Sequence, residues 1–243
     1  MSAHARHLPR FPSPRLAPKE GLLARGGLLE PEWLLSAYRQ GIFPWFNDDG
    51  GPILWWSPDP RAAVRPGEVR VTRSLAKRIR NHPFQVVMDR DFAATIRSCA
   101  QRSPREAGGT WITPEMQHAY CRLHALGYAH SVEVYRDDHL VGGLYGLSLG
   151  SLFFGESMFS LDTDASKVAF VALHIQLRRW NFTLLDCQLP NPHLTSLGVT
   201  TMRRTDFLDL LDAGQQLPDR LGTWRLDDNW RDDLPLLRMD TSA

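Results

Sequence analysis

Asp186 and Gln188 stand two apart at the end of the mostly apolar run Phe182–Leu185. In a strand, positions i and i+2 face the same way, so this spacing predicts an acid and an amide side by side on a face expected to be buried. Such a pair either finds backbone partners or does chemistry. Glu156 is flanked by Phe153, Phe154, Met158 and Phe159, and an acid among such neighbours is costly to bury unpaired. It either turns to solvent at a strand end or receives a cation or an ammonium. Arg70, Arg73, Lys77, Arg78 and Arg80 fall within 11 residues with no acid among them. Arg73, Lys77 and Arg80 would line one helical face, which is either a solvated surface or a stripe able to follow a phosphate backbone. The rings Phe43, Trp45, Phe46, Trp55, Trp56, Trp111 and Tyr120 suit either a core or a set of flat surfaces on which a nucleic-acid strand end stacks.

Several chemistries lack their motifs. There is no phosphate-binding GxxxxGK[ST] loop, no dinucleotide GxGxxG before a helix and no HExxH. His118, His124, His130, His139 and His174 are scattered, and no metal site is expected. Cys99, Cys121 and Cys187 have no CxxC or zinc-type spacing, which fits a reducing compartment. No secretory signal and no run of about 18 apolar residues is present, so a cytosolic protein without a membrane span is expected.

The elements that must position these residues read as α/β. The chain has 243 residues, 43% apolar and 23% charged, enough for a core and against wholesale disorder. The net charge of +1 does not announce a nucleic-acid binder, so such a role must rest on local clustering. Residues 1–20 look loosely ordered. A helix is expected over 31–40, ended by Gly41, and NDDGGP marks a turn. A basic helix begins near Thr72 or Ser74. A second helix starts at Pro114 with Thr113 as N-cap and ends at Gly127. Strands follow around the turn Asp137-Asp138 and through SLFFGESMFS, then a buried helix over KVAFVALHIQLRRW and the strand FTLLDCQL. The expected division is a small N-terminal domain over 1–107 and a larger domain over 108–243 with a mixed sheet. That sheet pattern also resembles the GNAT acetyltransferases, but SMFSLDTDASK stands where their glycine-rich pyrophosphate turn belongs, which disfavours acetyl-CoA.

GIFPWF, LWWSPDPRAAV, GTWIT, HSVEVYRDDHLVGGLYGLSLG, FGESMFS, ASKVA and LLDCQLPNPHLTSLG occur in this order over roughly residues 20 to 210. Together they resemble the leucyl/phenylalanyl-tRNA–protein transferases. The resemblance implies a small N-terminal domain and a GNAT-like catalytic domain without a cofactor. It implies transfer of Leu, Phe and less readily Met from aminoacyl-tRNA to proteins beginning with Arg or Lys, which marks them for N-degron degradation. Carried onto this chain, it implies catalysis by Asp186 and Gln188 and acceptor binding by Glu156. Adenosine contacts would come from Trp45, Trp111 and Tyr120, and an aminoacyl pocket from Leu144, Phe153 and Met158. Arg73, Lys77, Arg78 and Arg80 would contact the tRNA. Three places depart from the family pattern: Leu28 where Asp is usual, Leu144 where Met is frequent, and the two prolines of LPNPH.

An aminoacyl ester is already activated, so this chemistry needs no nucleotide cofactor. It requires that an amine of pKa about 8 be positioned, deprotonated and given a stabilised oxyanion. Gln188 would aim the amine through its carbonyl, and Asp186 would polarise Gln188. An acyl-CoA-dependent acyltransferase and an inert tRNA-binding module remain the alternatives.

Overall fold

The computed structural model describes residues 9–46, 50–102 and 111–240. Two layers of helices enclose one large sheet, beside a smaller sheet from the first quarter of the chain. The small sheet contains β1 (Leu22–Arg25), β2 (Phe43–Pro44) and β3 (Leu54–Trp56) in the antiparallel order β1-β3-β2. Between β1 and β2 runs α1 (Pro31–Tyr38), which starts on a proline and turns Leu34, Ala37 and Tyr38 into the core. Gly41 ends it with φ +74°, and a Cβ there would come within 2.7 Å of Leu208.

The large sheet contains β4 (Arg61–Val64), β6 (Gln85–Met88), β7 (Ala129–Arg136), β8 (His139–Leu149), β9 (Leu152–Ser160), β10 (Leu184–Gln188) and β11 (Thr200–Met202). β5 (Arg70–Thr72) pairs in parallel with β12 (Arg238–Asp240). The strand order is β11-β4-β10-β9-β8-β7-β6, antiparallel throughout except for the parallel pair β9 and β10. Asp137 and Asp138 both have positive φ, the conformation that a two-residue hairpin between β7 and β8 requires.

Alternate strand residues feed two cores, as a sheet covered on both faces demands. Val132, Leu144, Phe153 and Leu185 face α2 (Arg73–Asn81) and α5 (Ala165–Arg179). Tyr145, Phe154 and Leu184 face α1, α3 (Phe92–Arg102), α4 (Pro114–Ala125) and α7 (Arg204–Gly214). The expected caps are present: Thr72 Oγ1 accepts from Leu75 N and Thr113 Oγ1 from Met116 N, each at 3.2 Å. One short helix, α6 (Pro192–Ser196), follows β10 and is capped by Asn191.

One expectation needs correction. Residues 9–20 are tied down, because the buried Arg204 guanidinium donates to the carbonyls of Ala17, Pro18 and Ser57 at 2.6–3.0 Å. The C-terminal stretch adds a 3-10 helix over Trp230–Leu236 and the strand β12. The boundary expected at 107/108, like the NDD of the turn at 47–49 and residues 1–8, lies outside the described residues. Strands from both sides of that boundary share the large sheet: β4 and β6 from before it, β7 to β11 from after it. Among the described residues no helix is long and apolar enough to cross a membrane.

Candidate active site

The site lies where two parallel strands part. β9 and β10 pair from Leu152/Leu184 to Phe154/Asp186 and no further. Beyond that point the residues of both strands line a cleft of about 560 Å³, with Gly155, Glu156, Ser157 and Met158 on one side and Cys187, Gln188 and Leu189 on the other. On its opposite edge β9 carries a bulge. Tyr145 pairs with Ser157 and Gly146 with Gly155, so Glu156 is the extra residue. A bulge re-aims one side chain. Gly146 is required there, since a Cβ would sit 2.2 Å from the Phe154 carbonyl oxygen.

A second irregularity sets Gln188. The β10/β4 register shifts between Asp186 and Gln188, and Gln188 has φ +55°. The regular extended geometry on which the i, i+2 expectation rests therefore breaks after Asp186, and of the two residues only Gln188 lines the cleft. Asp186 points away from the cleft with 0% exposure. Arg61 Nε and Nη2 grip its two oxygens at 2.8 and 2.7 Å, while Arg61 Nη1 donates to the Gly41 carbonyl. The guanidinium lies against the rings of Phe43 and Phe207. Asp186 Oδ1 also accepts from the backbone N–H of Gln188 at 3.0 Å. A left-handed residue outside glycine costs free energy, and this bond offsets that cost. The carboxylate thus holds the backbone that presents Gln188, and the Gln188 side chain alone of the pair reaches the cleft.

Glu156 Oε1 accepts from Tyr38 at 2.7 Å and from Gln188 Nε2 at 3.2 Å, and Oε2 accepts from Tyr120 at 3.1 Å. The hydroxyls of Tyr38 and Tyr120 are also bonded to each other. Dense surroundings push the Glu156 carboxyl up to about 7, although its donors favour the charged form. Part of the residue stays open to the cleft. Burial pushes the hydroxyls of Tyr38, Tyr120 and Tyr145 well above the usual phenol value.

The other expected residues divide between cleft and core. Leu144 and Met158 line the cleft with Phe170, Leu173 and Leu185, a largely apolar floor. Phe153 is fully buried beneath it and is not a lining residue. Trp45 and Trp111 stand half-buried at the cleft, and Trp45 packs edge-on to Trp56 at 5.7 Å. Tyr120 offers no stacking face. Its ring has 0% exposure because α4 packs it on the sheet, and its hydroxyl serves Glu156. Trp55 and Phe46 belong to the core. On α2, Arg73, Lys77 and Arg80 are exposed, with no ion pair among the described residues, while Leu75, Ala76 and Ile79 face inward. Arg78 differs from them, pairing with Asp164 at 3.1 Å, as does Lys167 at 2.8 Å. Lys167 in turn helps to hold His193, a cleft residue, below its usual pKa, after the larger effect of burial. Of the three departures from the family pattern, Leu28 is exposed and Leu144 is part of the cleft.

Sequence reasoning missed Tyr38 and Arg61. Both carried a signal: a hydroxyl on an inward helix face and a cation beginning an apolar strand each need a buried partner.

A family model described as leucyl/phenylalanyl-tRNA protein transferase matches residues 63–212, and one described as that family's N-terminal domain matches residues 27–59. A protein of Shewanella woodyi named leucyl/phenylalanyl-tRNA–protein transferase is 51% identical over 220 residues, covering 89% of this chain and 92% of its own. A protein of the same name from Azotobacter vinelandii is 57% identical over 199 residues, covering 82% and 87%. Matches of this identity span both the aromatic N-terminal segment and the strands that part around Glu156 and Gln188, and the chain belongs to the leucyl/phenylalanyl-tRNA protein transferase family.

Proposed function

We propose that this protein is an enzyme that moves Leu, Phe and less readily Met from aminoacyl-tRNA onto acceptor proteins beginning with Arg or Lys. The product enters N-degron degradation in the cytoplasm, and no cofactor takes part. The catalytic unit is GNAT-like, with the tRNA ester in place of a thioester. One observation carries the reading: a largely apolar floor of Leu144, Met158, Phe170, Leu173 and Leu185 lies beside a polar wall of Glu156 and Gln188. An uncharged hydrophobic aminoacyl side chain fits the first, and an incoming amine fits the second. Apolar pockets discriminate a methylene by only about 1–3 kcal/mol, so overlap among Leu, Phe and Met is expected.

In this reading Trp45 and Trp111 grip the terminal adenosine. Glu156 faces the cationic acceptor. The Gln188 amide nitrogen is engaged by Glu156, which leaves its carbonyl oxygen to accept from the attacking amine and aim the lone pair. Asp186 acts through Gln188 as a positioning residue. The neighbouring ribose hydroxyl passes a proton to the leaving 3′ oxygen.

Incubating the protein with tRNA carrying labelled Phe and a peptide beginning with Arg should move label to the peptide. Binding of the tRNA with no transfer would leave only a binding module. Gln188→Ala should lower turnover while tRNA affinity stays within about twofold. Replacing Arg73, Lys77 and Arg80 together by Ala should weaken tRNA binding and flatten its salt dependence, by about 0.7–0.9 in log–log slope for each phosphate no longer neutralised. An unchanged slope would remove α2 from the tRNA path.

A further inference from the structure

Tyr38, Tyr120 and Glu156 form a triangle of oxygens. The Tyr38 hydroxyl meets that of Tyr120 and also Glu156 Oε1, and the Tyr120 hydroxyl meets Glu156 Oε2. Each side of the triangle is a hydrogen bond only if a proton lies in it. Two phenols supply two protons, so with Glu156 ionised one of the three sides joins two bare oxygens. A proton on Glu156 Oε2 completes the ring: Glu156 donates to Tyr120, Tyr120 to Tyr38, and Tyr38 to Glu156 Oε1. The triangle is one proton short in the ionised state, and Glu156, its acidic member, opens on the cleft beside Gln188.

We infer that Glu156, held by the hydroxyls of Tyr38 and Tyr120, takes up the proton that the acceptor's α-ammonium releases as it attacks the aminoacyl ester. This rests on the transferase reading above and names the proton acceptor within it. An amide is hardly basic, so Gln188 can aim the nitrogen but cannot keep its proton. One N–H bond of the ammonium breaks toward Glu156, and the freed lone pair forms the C–N bond at the ester carbonyl carbon. The C–O bond to the 3′ oxygen breaks. That oxygen receives the second ammonium proton through the neighbouring ribose hydroxyl, and the third hydrogen stays on the new amide. Glu156 then returns its proton to solvent.

The surroundings agree. Tyr38 projects from α1, Tyr120 from α4 and Tyr145 from β8, and burial raises all three, so a proton entering this network rests on Glu156 with the phenols intact. From β10 Asp186 raises the Glu156 carboxyl further, and from β4 Arg61 lowers it. The result, about 7, suits a group that must accept a proton from an amine and then release it near neutral pH.

The test uses the full chain, Phe-tRNA and a saturating peptide beginning with Arg. Wild-type kcat should fall on the acid side with a midpoint near 7. Glu156→Gln should lower kcat by about 10²–10⁴-fold and lose that limb while still binding Phe-tRNA. Tyr38→Phe and Tyr120→Phe each remove a donor to the carboxylate, so both should move the limb to higher pH, a change that mere loosening would not produce. In infrared difference spectra recorded against pH, a carboxylic acid band should titrate at the same midpoint, rise in midpoint in both Phe variants and vanish in Glu156→Gln. Glu156→Gln within twofold of wild type, or Phe variants that lose rate equally at every pH, would overturn the inference. Wild-type protein that transfers nothing at any pH would instead sink the transferase reading, and the base role with it.

Discussion

Arg61→Ala and Asp186→Ala should each destabilise the fold by about 3–5 kcal/mol, since each leaves the other charge buried and unpaired. Both side chains are wholly buried and grip each other through two bonds. Removing the carboxylate also frees the Gln188 N–H and strands a guanidinium between Phe43 and Phe207. The informative variant is the double one. Arg61→Met with Asp186→Leu replaces the ion pair by apolar groups, an exchange that is often neutral or stabilising. It should recover most of the stability lost by either Ala variant, measured as urea midpoint. It should not recover turnover, because nothing then holds Gln188 at φ +55°. Recovery of both would show that the pair serves the fold alone. Turnover retained in Asp186→Ala at low temperature, where the variant is folded, would remove Asp186 from the positioning of Gln188.

That pair also marks what the sequence could and could not tell. The helices over 31–40 and from Pro114, the hairpin at Asp137-Asp138 and the buried helix before DCQ were legible because their signals are local: a proline at the first turn, a cap, a glycine stop, two turn residues. Glu156 stood out by its aromatic flanks, although not its bulge, since a bulge is a relation between β8 and β9 and not a property of either. The i, i+2 rule failed at Gln188 for a similar reason. It assumes regular extended backbone, and the shift against β4 together with the left-handed turn breaks that regularity after Asp186. Tyr38 reaches Glu156 across 118 residues of chain and Arg61 reaches Asp186 across 125. Nothing in the spacing of any single segment announces either meeting. Tyr120 carried a family expectation of adenosine contact, yet α4 buries its ring and leaves the hydroxyl, bonded to Glu156, as the useful end.

Glu156→Gln should be more stable than wild type at pH 8, by on the order of 2–3 kcal/mol, while the two should be nearly equal at about pH 4. The folded protein holds the Glu156 proton to about 7, against 4.5 for an ordinary glutamate. Between those values the folded state binds a proton that the unfolded chain has lost, so wild-type stability falls as pH rises through that window and levels off above it. Glutamine is uncharged at every pH. It can accept from Tyr38 and donate to Tyr120, as the protonated acid does, so it keeps the ring without the charge. Its difference from wild type isolates Glu156 from the other titrating groups. Urea midpoints of both proteins from pH 4 to pH 8 provide the measurement, with no substrate present. A constant gap across that range would mean that the carboxylate is solvated in the cleft and titrates normally. A gap that opens between about 4.5 and 7 would mean that the protein gives up stability to keep a proton acceptor in its cleft wall, and that a residue costly to the fold at neutral pH is one its chemistry depends on.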